Sequence, residues 1–338
     1  MGRRRVGVLL GGLSAGPALS PATGEACAEA LERLGHDVVR IPVDGDLDRT
    51  LRQARLDVAF LTPHGRPGVG GCVQGLLELL RIPYTGSGVL ASALATDRLK
   101  AKEIFRLHNI PTPPYYALGA AEATRCATLH GSFGFPAVVK PRREGAGGVS
   151  IVHDAPELPV AVREALRHDD EVLVERCILG REISVGLLDG RVLGAIEVAP
   201  AGERRDRRSK DALDRSDGHL PPRLSPTRCR CVLALAEKAN RVLGCAGAAR
   251  VDLLVTEGDN EYVLGVNPLP GLAPTSLLPR IAAGAGYDYD RLIEAILAGA
   301  RLHAGTGWET AAPAPPASRA KVLVPARRRA IGGGRHSG

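Results

Sequence analysis

Short apolar runs alternate with segments of helical spacing along the first part of the chain. Residues 6–10 and 58–61 are apolar runs of strand length, and residues 37–42 form a second segment of strand length between them. Residues 23–34 repeat small and apolar side chains at helical spacing, and residues 51–56 do so more weakly. Because strands and helices alternate, the pattern predicts a parallel sheet that binds ligands at the carboxyl ends of its strands.

Further elements follow this first group. We expect helices at 73–80 and 90–107, then strands at 135–140 and 149–153 around a Gly-rich loop. A helix at 156–167 and a strand at 171–175 lead to a hairpin of 182–187 and 191–197, turned at Asp189-Gly190. A helix at 228–243, a strand pair of 249–255 and 261–266 turned at Asp259-Asn260, and a helix at 288–302 complete the pattern. The polar segment 200–226 is either a solvent loop or a mobile lid.

The length of 338 residues is more than one hydrophobic core usually serves, so we expect two or three domains. The pattern divides the chain into a Rossmann-like N-terminal domain at 1–95, a central subdomain at 96–186 and a C-terminal subdomain at 187–304. The tail at 305–338 is basic and mostly Ala, Pro, Arg and Gly, and we expect it to be disordered.

Composition excludes several classes of protein. The formal net charge is +7, but most of the excess lies in three runs without interleaved aromatic residues, at 3–5, 204–210 and 327–329, so nucleic-acid binding is not expected. No apolar run approaches the ~20 residues of a membrane span, and the start lacks the apolar region of a signal peptide. The seven Cys have no zinc-type spacing, which indicates reduced thiols. We expect a cytoplasmic protein that does not bind membranes.

Several motifs become specific when their order is considered together. They are Leu9-Leu10-Gly11-Gly12-Leu13-Ser14-Ala15, His64-Gly65-Arg66, Val73-Gln74-Gly75, Pro83-Tyr84-Thr85-Gly86-Ser87-Gly88-Val89, Ala91-Ser92-Ala93-Leu94, Val139-Lys140-Pro141 with Arg143-Glu144-Gly145, Arg250-Val251-Asp252, Asn267 with Pro270-Gly271, and Ser276-Leu277-Leu278-Pro279. Over about residues 5–300 the chain resembles the D-alanine–D-alanine ligases of the ATP-grasp superfamily. The resemblance implies an α/β chain with an ATP-grasp fold behind a Rossmann-like N-terminal domain.

The resemblance also implies a reaction and its partners. Ligases of this family activate a carboxylate as an acyl phosphate and then let an amine attack it, which yields a peptidoglycan precursor dipeptide. They use ATP, Mg²⁺ (or Mn²⁺) and D-alanine or an analogue, and they form homodimers. Such a protein must hold ATP, neutralise the transferring phosphoryl group and stabilise a tetrahedral oxyanion.

Six positions correspond by resemblance to the family's nucleotide site. Lys140, at the end of an apolar strand, would contact the α- and β-phosphates, and Arg98 stands where the family has a second phosphate Lys. The others are the adenine and ribose carboxylates Glu175 and Glu182 and the adenine backbone contacts of Cys177 and Ile178. Arg98 taken alone also fits an exposed helix cation, and the two Glu residues fit a solvated strand edge.

The family's catalytic, metal and substrate positions are placed in the same way. Arg250 would hold the tetrahedral intermediate because a guanidinium offers a fork of donors, with Lys210 at the γ-phosphate and the Gly271 N–H at the oxyanion. Asp252 and Asn267, expected to face each other across a hairpin, would bind Mg²⁺ through hard oxygens, although they also fit a plain hydrogen-bonded pair. The substrate positions are His64, Ser276 and Leu277.

Departures from the family's pattern bear on activity. Gly265 stands where the family has a Glu whose carboxylate bridges two Mg²⁺ ions, so the clamp on the phosphoryl group should be weaker. Gly16, Ala146 and Asp211 replace a Glu, a Ser and a Tyr that hold the first D-alanine and close the lid. Val69-Gly70 replaces a Glu-Asp pair whose acidic residue orients the family's His.

Three functions stay open from the sequence. The first is a ligase of this family with a changed donor or acceptor, favoured by Lys140, Arg250, Asp252 and Asn267. The second is a catalytically impaired paralogue that binds nucleotide without ligase activity, favoured by the departures. The third is another ATP-grasp chemistry on a peptide or secondary metabolite. In each case we expect nucleotide binding to be kept and metal binding to be weakened by Gly265.

Overall fold

The computed structural model describes residues 2–11, 19–62, 66–131, 133–143, 147–198, 218–258 and 260–304, with the backbone alone at 19–22 and 66–67. Several predictions lie outside these residues. They concern the turn residue Asp259, the tail at 305–338, most of the polar segment 200–226, and the site positions Gly16, His64, Ala146, Lys210 and Asp211.

The first sheet is parallel and three-stranded, as the alternation of strands and helices predicts. Its strands are β1 (Arg5–Leu10), β2 (Asp37–Pro42) and β3 (Val58–Leu61), in the order β2-β1-β3. They are connected by α1 (Leu19–Arg33) and α2 (Leu47–Ala54). Each face of the sheet buries apolar side chains against one of these helices, which explains the apolar runs of β1 and β3, whereas the edge strand β2 carries an exposed Arg40.

The helical region after this sheet is divided, and the prediction of one helix at 90–107 is wrong. The elements are α3 (Arg66–Val69), α4 (Cys72–Leu80), α5 (Val89–Thr96) and α6 (Arg98–Leu107). Asp97 has extended backbone (φ −88°, ψ 98°), and its carboxylate caps α6 by accepting from the Lys100 N–H at 3.1 Å. Arg142 binds the same carboxylate at 2.8 Å, so a cap and a tertiary contact fix the break at one residue.

The second sheet is antiparallel and four-stranded. Its strands are β4 (Tyr115–Gly119), β5 (Ala137–Pro141), β6 (Ser150–Val152) and β7 (Glu171–Arg176), in the order β4-β7-β5-β6. A 3₁₀ turn, α7 (Cys126–Leu129) and α8 (Leu158–Ala165) pack on it. Strand β4 and helix α7 were not predicted. Since β5 and β7 are neighbours, Lys140 and Glu175 lie in diagonal register on one face.

The third sheet is antiparallel, and its order is β10-β9-β8-β11-β12. Its strands are β8 (Arg181–Leu188), β9 (Arg191–Val198), β10 (Gly218–His219), β11 (Ala248–Val255) and β12 (Glu261–Asn267). The predicted hairpin turn is confirmed, because Asp189 and Gly190 both have positive φ (46° and 76°), as a two-residue turn of this kind requires. Helix α9 (Pro226–Val242) packs against the core of this sheet.

The last described segment returns to the first sheet. Helices α10 (Leu277–Gly284) and α11 (Tyr289–Ala298) follow β12. The predicted helix at 288–302 ends early, since Arg301 exchanges backbone hydrogen bonds with Tyr84 (3.1 and 3.2 Å) and leaves the helix to do so. The chain through His303 forms one compact unit. Within the residues that the structure describes, no helix is both long and apolar enough to cross a membrane.

Candidate functional site

Two lysines and one glutamate form a buried ionic cluster beside β7. The Oε1 atom of Glu175 lies 2.7 Å from Lys140 Nζ of β5 and 3.3 Å from Lys102 Nζ of α6. The side chains of Lys102, Glu175 and Lys140 are 1%, 3% and 12% exposed. Lys102 Nζ also donates to Thr112 Oγ1 at 2.6 Å. One carboxylate therefore faces two ammonium groups, and these three side chains carry a formal surplus of one positive charge.

Burial and charge together set the protonation states in this cluster. Burial lowers the pKa of Lys102 to about 8, against the opposing effect of Glu175. Burial by itself would raise the pKa of Glu175, but Lys102 and Lys140 outweigh it and hold that pKa below its ordinary value. Glu175 is therefore ionised at neutral pH.

Arg98 lies at the start of α6 and fastens the end of β5 to it. Its Nη1 atom donates to the carbonyls of Pro141 (2.7 Å) and Arg143 (3.3 Å), and its N–H donates to the Arg142 carbonyl (3.0 Å). Arg98 is thus bonded to the backbone that directly follows Lys140, at the edge of the Gly-rich loop. A guanidinium has several N–H donors, so these bonds leave room for a contact with an anion. The phosphate role of Arg98 stays a prediction.

The predicted base contacts lie on residues 177–180, the linker from β7 to β8. The Cys177 N–H donates to the Pro136 carbonyl at 3.0 Å, so a base contact by this N–H is not compatible with the described arrangement. Glu182 follows the linker on β8, opposite Leu254 and Val198. The linker therefore separates the two predicted carboxylates, with Glu175 in the second sheet and Glu182 in the third.

The predicted metal residues lie on the paired strands β11 and β12. Arg250 is opposite Asn267, and Asp252 is opposite Gly265. The prediction that Asp252 and Asn267 face each other is therefore wrong, and the two are diagonal neighbours. The register changes after Asp252, where Leu253 pairs with Val263, and such a bulge cannot be read from the alternation of apolar residues.

An ion pair with a fully buried arginine and a partly exposed aspartate occupies this face of the sheet. Arg250 donates from Nε and Nη2 to the two carboxylate oxygens of Asp252, at 2.9 and 3.1 Å. The Ser184 hydroxyl of β8 donates to Asp252 Oδ1 at 2.7 Å. Arg250 has 0% exposure. The guanidinium is therefore held in one orientation by a fork of charge-assisted hydrogen bonds.

The donor set at this face fits one divalent cation better than two. Asp252 and Asn267 supply one carboxylate and one amide oxygen, and Asn267 Oδ1 also accepts from the Leu269 N–H at 3.2 Å. Among the residues that the structure describes, no three His, Cys, Asp or Glu side chains group closely enough to hold a metal ion. A Cβ atom built at Gly265 would meet nothing within 4 Å. A Mg²⁺ ion bound here would take its remaining ligands from phosphate groups and water.

The predicted positions after β12 lie on a buried loop and on the start of α10. Ser276 is 6% exposed and is the N-cap residue of α10. The Leu277 side chain is buried in an apolar cluster, so a substrate carboxylate could be bound only by its backbone N–H in the first helical turn. The Tyr289 hydroxyl of α11 donates to the Leu272 carbonyl at 2.9 Å and supports the loop beside Gly271.

Two buried polar residues of these clusters were not predicted. Lys102 shares the buried face of α6 with Ala101 and Phe105, and a Lys at such a position was the available signal. Ser184 gave no signal, because it is 68 residues from Asp252 in the sequence and only the sheet order brings the two together. Lys210 and His64 lie outside the described residues, so their predicted roles stay predictions.

Known structures show the fold class. The structure of a D-alanine–D-alanine ligase from Bacillus anthracis complexed with ATP is similar, with a TM-score of 0.76, 32% identity, and coverage of 88% of this chain and 97% of that one. The VanG D-Ala:D-Ser ligase from Enterococcus faecalis also has a TM-score of 0.76, covering 88% of this chain and 99% of its own. At 23% identity, that second likeness concerns the fold alone. The three sheets therefore form an α/β structure of the ATP-grasp type with a Rossmann-like N-terminal part.

Sequence relatives show the family. A family model described as the D-ala D-ala ligase C-terminus matches residues 104–298. The chain is 46% identical over 302 residues to a D-alanine–D-alanine ligase from Anaeromyxobacter sp. (strain Fw109-5), covering 89% of this chain and 98% of the relative. It is 47% identical over 300 residues to the one from Geobacter sulfurreducens, covering 88% and 94%. The chain belongs to the D-alanine–D-alanine ligase family, as its motifs predict.

Proposed function

We propose that this protein is an ATP-dependent carboxylate–amine ligase that joins two molecules of D-alanine, or of a close analogue, into a dipeptide for peptidoglycan precursors. ATP supplies the phosphoryl group that activates the first carboxylate as an acyl phosphate, and the amine of the second substrate displaces phosphate from it. The observation that carries the proposal is the fully buried guanidinium of Arg250, which Asp252 holds in one orientation. A preorganised positive charge of this kind is what a tetrahedral oxyanion requires.

The buried cluster of Lys140 and Glu175 would form part of the nucleotide end of the site. Lys140 would contact the phosphate groups together with Arg98, and Lys210 would reach the γ-phosphate. Glu175 would accept from the exocyclic amine of adenine, and Glu182 would bind the ribose. The backbones of Cys177 and Ile178 would contact the base, with the N–H donor supplied by Ile178 because the Cys177 N–H already donates to Pro136.

At the substrate end, the Gly271 N–H would join Arg250 in binding the oxyanion. The Ser276 hydroxyl and the Leu277 N–H, at the start of α10, would bind the carboxylate of the second amino acid. His64 would contact the first substrate. Asp252 and Asn267 would hold a single Mg²⁺ (or Mn²⁺) ion against the phosphate groups, and the open space at Gly265 is consistent with weaker metal binding than in relatives that carry Glu there.

A second candidate function is nucleotide binding with impaired ligase activity. It is favoured by Gly265, which lies opposite Asp252 and leaves one carboxylate at this face of the strand pair. The resemblance further implies a homodimer, and the composition favours a cytoplasmic protein that binds neither nucleic acid nor membrane. Sedimentation at micromolar concentration would test the dimer.

Phosphate release from Mg-ATP, with and without D-alanine, tests the proposal when it is measured beside a nucleotide-binding titration. If the protein is this ligase, phosphate release depends on D-alanine and is accompanied by an equal amount of dipeptide. Tight nucleotide binding without D-alanine-dependent release would favour the impaired paralogue. Release that depends on a different amino acid would keep the ligase chemistry and change its substrate.

A further inference from the structure

Lys102 is the most deeply buried charged side chain of the ionic cluster, and its contacts join three elements. Its ammonium lies 3.3 Å from Glu175 of β7 and donates to Thr112 Oγ1 at 2.6 Å. Thr112 Oγ1 in turn donates to the Val263 carbonyl of β12 at 2.9 Å. With 1% of its side chain exposed, Lys102 is anchored between the second and the third sheet by these contacts.

Lys140 is more exposed than Lys102 and lies nearer to the Gly-rich loop. It is 12% exposed and lies one residue before the end of β5, from which the chain enters the Gly-rich loop. Both ammonium groups meet the same oxygen, Oε1 of Glu175. If Lys140 turns to an anion, Lys102 is the cation that stays with Glu175, and the buried carboxylate keeps a counter-ion.

The counter-ion of Glu175 decides whether this carboxylate can accept a hydrogen bond from the base. A buried carboxylate without a counter-ion takes up a proton, and its protonated oxygen no longer accepts a hydrogen bond. A base with an exocyclic amine needs an ionised, oriented acceptor. A base with a carbonyl at that position is disfavoured by the same acceptor, because two oxygens then face each other without a proton.

We propose that Lys102 is the fixed counter-ion of Glu175: it keeps this carboxylate ionised and directed at the base of the nucleotide, and it thereby leaves Lys140 available to the phosphate groups. Lys102 is a positioning residue in this assignment and contacts neither the nucleotide nor the amino-acid substrates. The inference rests on the proposed nucleotide site and adds the residue on which its choice of base depends.

The test compares binding of Mg-ATP and Mg-ITP to the full chain by calorimetry without amino acid, so that base selection is measured apart from turnover. The test variant is Lys102→Met, which keeps a straight side chain and removes the charge. The matched control is Lys100→Met, two residues away on the same helix, where the Lys is 48% exposed and pairs with Glu103 at 2.8 Å. Both variants remove one positive charge from α6.

Lys102→Met is expected to weaken ATP binding at least ~10-fold and to bring the ratio of ITP to ATP dissociation constants close to one, because a roughly 1.4 kcal/mol contribution corresponds to a factor of ten. Lys100→Met should leave both constants unchanged. A folded Lys102→Met protein that still prefers ATP as the unmodified protein does would overturn the proposal. Failure of the unmodified protein to bind either nucleotide would instead contradict the proposed function.

A second variant covers the case in which Lys102→Met does not fold. Thr112→Val keeps the shape of the side chain and removes the second anchor of the Lys102 ammonium, while the ion pair with Glu175 stays. It is expected to lower the preference for ATP over ITP in part, with unchanged far-UV circular dichroism. An unchanged preference in Thr112→Val would show that the anchoring of Lys102 does not govern base selection.

Discussion

A glutamate at position 265 would place a second carboxylate opposite Asp252 on the strand pair that carries Arg250. The backbone accepts a side chain there, because a Cβ atom at Gly265 meets nothing within 4 Å. Removing a glycine from a strand interior is by itself expected to stabilise the fold by about 0.5–1 kcal/mol. The substitution Gly265→Glu should therefore be tolerated, and its effect on cation binding can be measured separately from folding.

The size of the effect follows from the charges on this face. A divalent cation and a carboxylate about 4 Å apart interact by roughly 8 kcal/mol at an effective dielectric constant of ~20, twice the value for two unit charges. Desolvation of the new carboxylate and its repulsion of Asp252 offset most of this gain, although Arg250 already shares the charge of Asp252. We expect a net gain of at least ~1.4 kcal/mol, which is about tenfold in Mn²⁺ affinity and in ATP turnover.

The assay measures Mn²⁺ binding by electron paramagnetic resonance together with phosphate release from ATP. Gly265→Gln is the matched control, because it has the same length without the charge, and Gly265→Ala measures the loss of glycine alone. Only Gly265→Glu should improve both quantities. Equal improvement by Gln, or no change by Glu in a protein of unchanged melting temperature, would refute the reasoning that a missing carboxylate limits this site.

Three further predictions concern single side chains. Arg250→Lys should lower D-alanine-dependent turnover at least ~100-fold, because the fork of donors is lost, while the ATP affinity measured by calorimetry is kept. Tyr289→Phe removes the hydrogen bond to the Leu272 carbonyl and should lower the free energy of unfolding in urea by about 1 kcal/mol. Burial lowers the pKa of His303, so the unfolded chain takes up its proton first, and stability should fall as the pH drops through about 6.5. His303→Leu should flatten this dependence in urea titrations at about pH 7 and about pH 5.

Most of the strands and the order of elements could be predicted because local patterns specify them. The strands β1 and β3 of the first sheet are apolar on both faces, and the Asp189-Gly190 turn has its own residue signature. The break between α5 and α6 could not be predicted in this way. The apolar pattern continues on both sides of Asp97, and the position is marked by the Asp97 cap of α6 together with its contact to the distant Arg142.

Within the candidate site, residue types were predictable and their pairings were not. Arg250, Asp252 and Asn267 lie on one face as the motif suggests, but the bulge after Asp252 decides that Gly265 stands opposite it. Lys102 was missed although it shares the apolar face of α6 with Ala101 and Phe105, because a lysine in a helix is more often solvated. Its partner Glu175 is far away in the sequence, and the meeting of α6 with β7 is a property of the tertiary fold.

The most direct test of the central claim follows the oxygen of the substrate. D-alanine labelled with ¹⁸O in its carboxylate is incubated with Mg-ATP and the protein, and the inorganic phosphate and the dipeptide are analysed by mass spectrometry. Activation through an acyl phosphate predicts that one labelled oxygen appears in phosphate for each dipeptide formed. Phosphate released without label would mean that water, and not the D-alanine carboxylate, attacks ATP, and it would contradict the assignment of this protein as a carboxylate–amine ligase.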